Sequence, residues 1–281
     1  MNIFHNHRVL SPGNRLHSRM QGPIRFSLGF IMVLFYVTAC TAVMHHPAEL
    51  LRPTVGQMLW AWSESIVSIA LLIQQTYTRQ PAKLWSVAVG GQAVSVMALG
   101  HWNPLMAQLS LGAFNTAGIL TLSYWRRQQT GVITASLLGL LSPFAGLLMG
   151  HQQVNRAELV LLLIIPGIWA QAHIHNLSFL WQSRYSQRLQ TSFPMAEEQC
   201  KTRVLIWTVL TAVLSLLPYY LNPAKVAYLS GSLLLGIVYL LSTGMSIIAP
   251  LPYRIRRLGW LQRISEVYLV GILTLFVNQL G

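Results

Sequence analysis

Residues 166–195 read PGIWAQAHIHNLSFLWQSRYSQRLQTSFPM. The segment opens as an apolar helix that carries His173 and His175. It then turns into a wet, basic loop at Arg184, Tyr185 and Arg188, and closes on Phe193, Pro194 and Met195. Long hydrophobic segments flank it on both sides. Runs of about 20 apolar residues with almost no charge are membrane spans, because a helix of that length crosses the hydrocarbon and satisfies its own backbone there. A cationic loop with an aromatic hydroxyl at one end of a membrane bundle is where an amphipathic ligand with an anionic head would sit.

Composition agrees. Of the 281 residues 53% are hydrophobic and 9% charged, against roughly a quarter charged in a soluble domain. The fold class expected is all-α, an integral membrane bundle. Nine spans are expected, at 24–45, 55–76, 84–101, 104–124, 131–150, 157–181, 204–221, 226–249 and 264–280. Residues 1–23 read as a flexible basic cytoplasmic arm and 24–281 as one transmembrane domain.

The net charge of +13 comes from 19 Lys and Arg against six Glu, with no Asp. In a soluble chain that balance would suggest nucleic acid. Here 16 of the 19 cations fall on the N-terminal arm and on alternate connections. Only Arg52, Arg156 and Lys225 lie elsewhere. Such bias is the positive-inside rule acting on an odd number of spans. It predicts a cytoplasmic N-terminus and an external C-terminus; the membrane expected is the inner membrane of a bacterium. Membrane lipids are the expected surroundings and nucleic acid is not a partner. Cys40 and Cys200 are far apart and form neither a disulfide framework nor a CxxC site.

Several elements of the pattern resemble the UbiA superfamily of membrane prenyltransferases, and within it heme O synthase (protoheme IX farnesyltransferase). Pro166, Trp169, Ala170 and Ala172 match a Pro-His-Phe-Trp-x-Leu-Ala signature; Tyr185 matches an Asp-Tyr pair; Pro194 and Met195 match a Gly-x-Pro-Met-Leu-Pro segment. Thr202-Arg203, the run 215–220 (SLLPYY), and Ala227, Tyr228, Leu229 and Gly236 are similar to the helices that follow. Residues 124–130 (YWRRQQT) and Leu138, Gly139, Pro143 and Gly146 resemble earlier motifs. The similarity covers roughly residues 70–245.

The resemblance implies a nine-helix fold, heme B as ligand or substrate, farnesyl diphosphate or another polyprenyl ligand, and terminal-oxidase assembly partners. The chain departs from the family where the metal would bind. Its first acidic motif is replaced by QQTYTRQP at 74–81, the Asp before Tyr185 is Arg184, and the signature His and Phe are Gly167 and Ile168. Mg²⁺ wants an octahedron of hard oxygen ligands. The only carboxylates in the two loops are Glu197 and Glu198, so the sequence does not support Mg²⁺.

The catalytic residues are not identified. The substrate-binding set expected is Arg79, Lys83, Arg126, Arg127, Trp169, His173, Arg184, Tyr185 and Arg188. The arginines can fork onto phosphate oxygens, although topology explains basic residues at these places equally well. His173 and His175 are two apart and face different ways on a helix. His45, His46, His101 and His151 fall at the outer span ends, where they read as interfacial side chains or as a second site. Glu64 lies within span 2, a costly depth for an acid. Trp60, Trp62, Trp85, Trp102, Trp125 and Trp181 read as an aromatic belt. Three functions remain open: a heme- or polyprenyl-binding relative that does not need Mg²⁺; an active protoheme IX farnesyltransferase; and a non-catalytic structural or assembly subunit.

Overall fold

In the computed structural model the described residues are 28–43, 52–75, 81–122, 127–150, 156–189, 194–221 and 226–280. They form nine α-helices: α1 (Leu28–Ala42), α2 (Pro53–Gln75), α3 (Pro81–Trp102), α4 (Pro104–Leu122), α5 (Arg127–Met149), α6 (Arg156–Leu189), α7 (Pro194–Leu214), α8 (Val226–Ile248) and α9 (Leu251–Leu280). A 3₁₀ turn at Leu217–Leu221 follows α7. The described residues contain no strand. Four helices begin on proline, which costs nothing at a first position because that N–H has no partner in the helix anyway. At Pro104 the turn is completed by Asn103, whose side-chain oxygen accepts from the N–H groups of Leu105 and Met106 at 3.1 and 3.3 Å, an N-cap.

Five helices carry segments long and apolar enough to cross a bilayer: Pro53–Leu72, Ala157–Leu180, Glu198–Tyr220, Val226–Ile248 and Leu251–Asn278. The apolar parts of α1 and α5 are shorter, Gly29–Ala42 and Ala135–Met149. Helices α3 and α4 have the length, at 22 and 19 residues, with less hydropathy. Their polar side chains close on one another. Gln92 Nε2 donates to Ser110 Oγ at 2.8 Å, Ser65 of α2 joins both, and Ser95 Oγ donates to the Ala61 carbonyl at 2.7 Å. Such small polar residues hold membrane helices together where the lipid supplies no hydrophobic drive.

Helix α6 packs on α5, α7 and α9, and α1 lies against α5 and α9. Glycine and proline set two of these approaches. A Cβ on Gly139 of α5 would stand 2.7 Å from the Pro166 carbonyl of α6. One on Gly146 would stand 2.3 Å from the Thr38 carbonyl of α1. Only hydrogen fits there. On its other side α1 is joined to α9 by Tyr36 Oη and Thr274 Oγ1 at 2.6 Å.

Four expectations change. The basic loop at Arg184, Tyr185 and Arg188 is helix: α6 runs 34 residues to Leu189, about 50 Å, well beyond the hydrocarbon. No glycine or proline interrupts it between Gly167 and Pro194, and arginine is a good helix former that suits a helix C-terminus. Helix α9 begins at Leu251 rather than 264, so Arg254, Arg256, Arg257 and Arg263 are helical. Helix α7 begins at Pro194 and ends at Leu214, before Pro218, which sits in the 3₁₀ turn. Trp62 is not in a belt: it is fully buried, whereas Trp60 is 56% and Trp85 48% exposed. Residues two apart on a helix differ by about 200° in direction, so Trp60 and Trp62 take opposite environments.

Candidate functional site

Inside this apolar bundle the described polar and aromatic side chains meet where α1, α6, α8 and α9 come together. Trp169 and His173 are four apart on α6 and so share a face. Both are completely buried, with ring centroids 4.8 Å apart. Phe30 of α1 stacks on the indole at 5.6 Å and 7°, and lies 5.3 Å from the imidazole.

Helix α9 supplies the hydrogen bonds. Trp169 Nε1 donates to the Ser265 carbonyl and hydroxyl at 2.8 and 2.9 Å. Tyr239 of α8 donates to the same hydroxyl at 3.2 Å. The Gln262 amide nitrogen bonds His173 Nε2; an amide nitrogen only donates, so this ring nitrogen accepts. Asn176 Nδ2 donates to Gln262 Oε1 at 2.8 Å, while Asn176 Oδ1 is buried with no partner among the described residues. Gln262, Ser265 and Glu266 share one face of α9 by their spacing. Buried Glu266 bonds Arg263 at 3.2 Å and lies against Gly29, where a Cβ would fall 2.1 Å from Oε1. The arrangement presents a held imidazole, an indole face and a carboxamide within a bilayer-embedded core.

Of the expected binding residues, the fold brings Trp169 and His173 together. His175 faces elsewhere and stacks on Trp207 of α7 at 6.3 Å and 12°. Arg184 is exposed on the same helix, eleven residues or about 16 Å further along it. Tyr185 and Arg188 lie on the last turns of α6, Lys83 near the start of α3 and Arg127 at the start of α5; their side chains, with Arg79 and Arg126, lie outside the described residues. His45, His46 and His151 do too, and His101 is exposed beside Trp102. Gln262, Ser265, Asn176, Tyr239 and Phe30 were not anticipated. A signal existed for α9: polar residues at 262, 265 and 266 on one face of an apolar helix. Starting that helix at 264 hid it.

No protein-family model matches the chain. It is 26% identical over 164 residues to a protoheme IX farnesyltransferase of Idiomarina loihiensis, covering 57% of this chain and 55% of that protein. It is 29% identical over 164 residues to the protoheme IX farnesyltransferase of Legionella pneumophila (56% and 54%). To protoheme IX farnesyltransferase 2 of Pseudoalteromonas atlantica it is 30% identical over 143 residues (50% and 47%). The chain thus spans about half the length of the curated relatives it matches. Two solved structures of a UbiA homolog from Archaeoglobus fulgidus share the architecture. The one bound to Cd²⁺ has a TM-score of 0.54 at 12% identity, covering 87% of this chain and 96% of that one. The other has 0.50 at 14%, covering 92% and 99%.

The chain is an integral membrane protein with the UbiA fold. In sequence it is heme O synthase-like, its similarity running to the protoheme IX farnesyltransferases.

The acidic side chains of the described residues stand apart from one another, and the side chain of Glu197 lies outside those residues. Glu64 sits in α2 beside Gly91, Glu158 opens α6, Glu198 is held by Lys201 at 2.6 Å, and Glu266 by Arg263. No three His, Cys, Asp or Glu side chains converge among those residues.

Proposed function

We propose that this protein binds heme or a polyprenyl compound within the bundle and serves heme or terminal-oxidase biogenesis without Mg²⁺-dependent prenyl transfer. The observation that carries this is the Trp169–His173 pair, buried on a UbiA scaffold and bonded to α9 through Ser265 and Gln262. An indole face suits an isoprenoid or a porphyrin ring, and an imidazole is a common ligand to iron. Phe30 covers the pair, so entry requires α1 to move away from α6. The anionic end of the ligand lies toward the basic helix ends. The residues proposed for that end are Arg79, Lys83, Arg126, Arg127, Arg184, Tyr185 and Arg188, of which the structure describes the side chain of Arg184 alone, exposed on α6. Arginine forks, the lysine ammonium and the tyrosine hydroxyl suit phosphate or propionate. The protein sits in the inner membrane of a bacterium with its single domain beginning near residue 24.

The full burial of Trp169, His173 and Phe30 favours one rival, a structural subunit whose interior stays closed. The test separates both from an active farnesyltransferase. Detergent-purified full-length protein is mixed with heme B and farnesyl diphosphate, with and without Mg²⁺, and product mass is read with the heme absorption band. The expected result is a shifted heme band without heme O, or retention of the prenyl compound, with the heme shift lost in His173→Ala. Robust Mg²⁺-dependent heme O formation would overturn the proposal. Absence of any ligand signal would leave the closed subunit.

A further inference from the structure

On the lipid-facing side of α8 and α9 lies a groove that the reading above does not use. Leu235 and Val238 of α8 face Ile264 and Val267 of α9 across about 210 Å³, and Trp260 and Arg263 close the end nearer the start of α9. The walls are open to the bilayer: Val238 is 45%, Val267 64% and Trp260 62% exposed. In a membrane such apolar walls meet acyl chains. What distinguishes this groove from ordinary lipid contact is the charge at its end.

Arg256, Trp260 and Arg263 are spaced four and three apart, so they form one stripe along α9. All three are exposed. The arginine next to the groove is held rather than floating. One nitrogen of Arg263 bonds buried Glu266 at 3.2 Å while the side chain remains 71% exposed. Glu266 in turn is wedged against Gly29 of α1. A guanidinium has five N–H donors in a fixed fork, so those not turned to Glu266 are available to a second anion. Six residues earlier on α9, Arg257 is tied across to the Met245 carbonyl of α8 at 3.0 Å. Three arginines against one glutamate leave this end of the groove positive. A long cationic side chain at such a depth extends toward the headgroups.

We propose that the α8–α9 groove is a site for one anionic phospholipid, with an acyl chain between Val238 and Val267 and its phosphodiester on Arg263 and Arg256. Trp260 lies between the two arginines on the same stripe of α9 and lines the end of the groove. The charge complementarity selects an acidic headgroup over a zwitterionic one, because a bound ammonium would be repelled by the same cluster.

The test is native mass spectrometry of the full-length protein in detergent, titrated with phosphatidylglycerol and with phosphatidylcholine of the same acyl chains. Phosphatidylglycerol should be retained at least tenfold more tightly. Arg263→Gln and Arg256→Gln should each remove most of that preference, and Val238→Trp, which fills the groove, should weaken both lipids. Arg203→Gln, an exposed cation on α7, should change nothing. Circular dichroism and monodispersity establish that each variant is folded. Should Arg263→Gln disturb α9, Arg256→Gln at its exposed position still decides. Equal retention of the two lipids, or an Arg203→Gln effect as large as that of Arg263→Gln, would overturn the site. So would displacement of the lipid by farnesyl diphosphate at concentrations below those at which the lipid binds, which would make it a prenyl diphosphate site.

Discussion

Trp169 holds two elements together with one side chain. Its indole N–H is shared between the Ser265 carbonyl and hydroxyl, and its face is stacked on Phe30. Trp169→Phe should retain the stacking and lose the donor. A net cost of about 1 kcal/mol is expected for a lost hydrogen bond, read as an earlier unfolding midpoint in detergent, together with weaker ligand binding. Ser265→Ala should cost less, since the carbonyl still accepts. An unchanged midpoint in Trp169→Phe would show that the bond contributes nothing net. The residues matched to the family signature were legible in the sequence here, and their partners were not. Ser265 and Gln262 lie 96 and 89 residues away from the α6 side chains they bond. No local pattern links positions so far apart.

Among the elements, the α1–α5 contact is, with the α5–α6 contact at Gly139, one in which a glycine meets the backbone of a neighbouring helix. A Cβ on Gly146 would lie 1.9 Å from Thr41 Oγ1 and 2.3 Å from the Thr38 carbonyl. The carbonyl belongs to a helix and cannot turn aside. Gly146→Ala should therefore destabilise by about 1–3 kcal/mol, the usual range for over-packing, and lower the melting temperature of the purified protein. Gly56 of α2 and Gly244 of α8 have open space at the same position. Alanine there should be neutral or stabilising by up to about 1 kcal/mol, since glycine costs that much inside a helix. If all three variants melt alike, the close approach does not exist. Helix ends were less legible than helix cores. Arg184 and Arg188 look like loop on hydropathy, but a helix stops where its backbone is interrupted, not where its side chains become polar.

At the scale of the molecule, the asymmetry of charge predicts orientation. Sixteen of 19 basic residues belong to the arm and to alternate helix junctions, which should place the N-terminus in the cytoplasm and the C-terminus outside. A phosphatase reporter active only in the periplasm, fused after residue 281, should be active, and the same reporter fused after Gln75 should be silent. The reverse pattern would invert the topology.

Hydropathy and the placement of charge alone determined an all-helical membrane bundle with a basic end, because each of those properties depends on residues within one segment. Among the described residues nine helices form and five are long and apolar enough to cross. Only the tertiary structure decided which faces meet: Trp62 inside and Trp60 outside, Glu266 against Gly29, His173 on Gln262. In lipid the apolar surfaces of all helices are equally well solvated. The choice of partner falls to steric fit at glycines and to a few polar side chains that must find each other, and neither is written in any single segment.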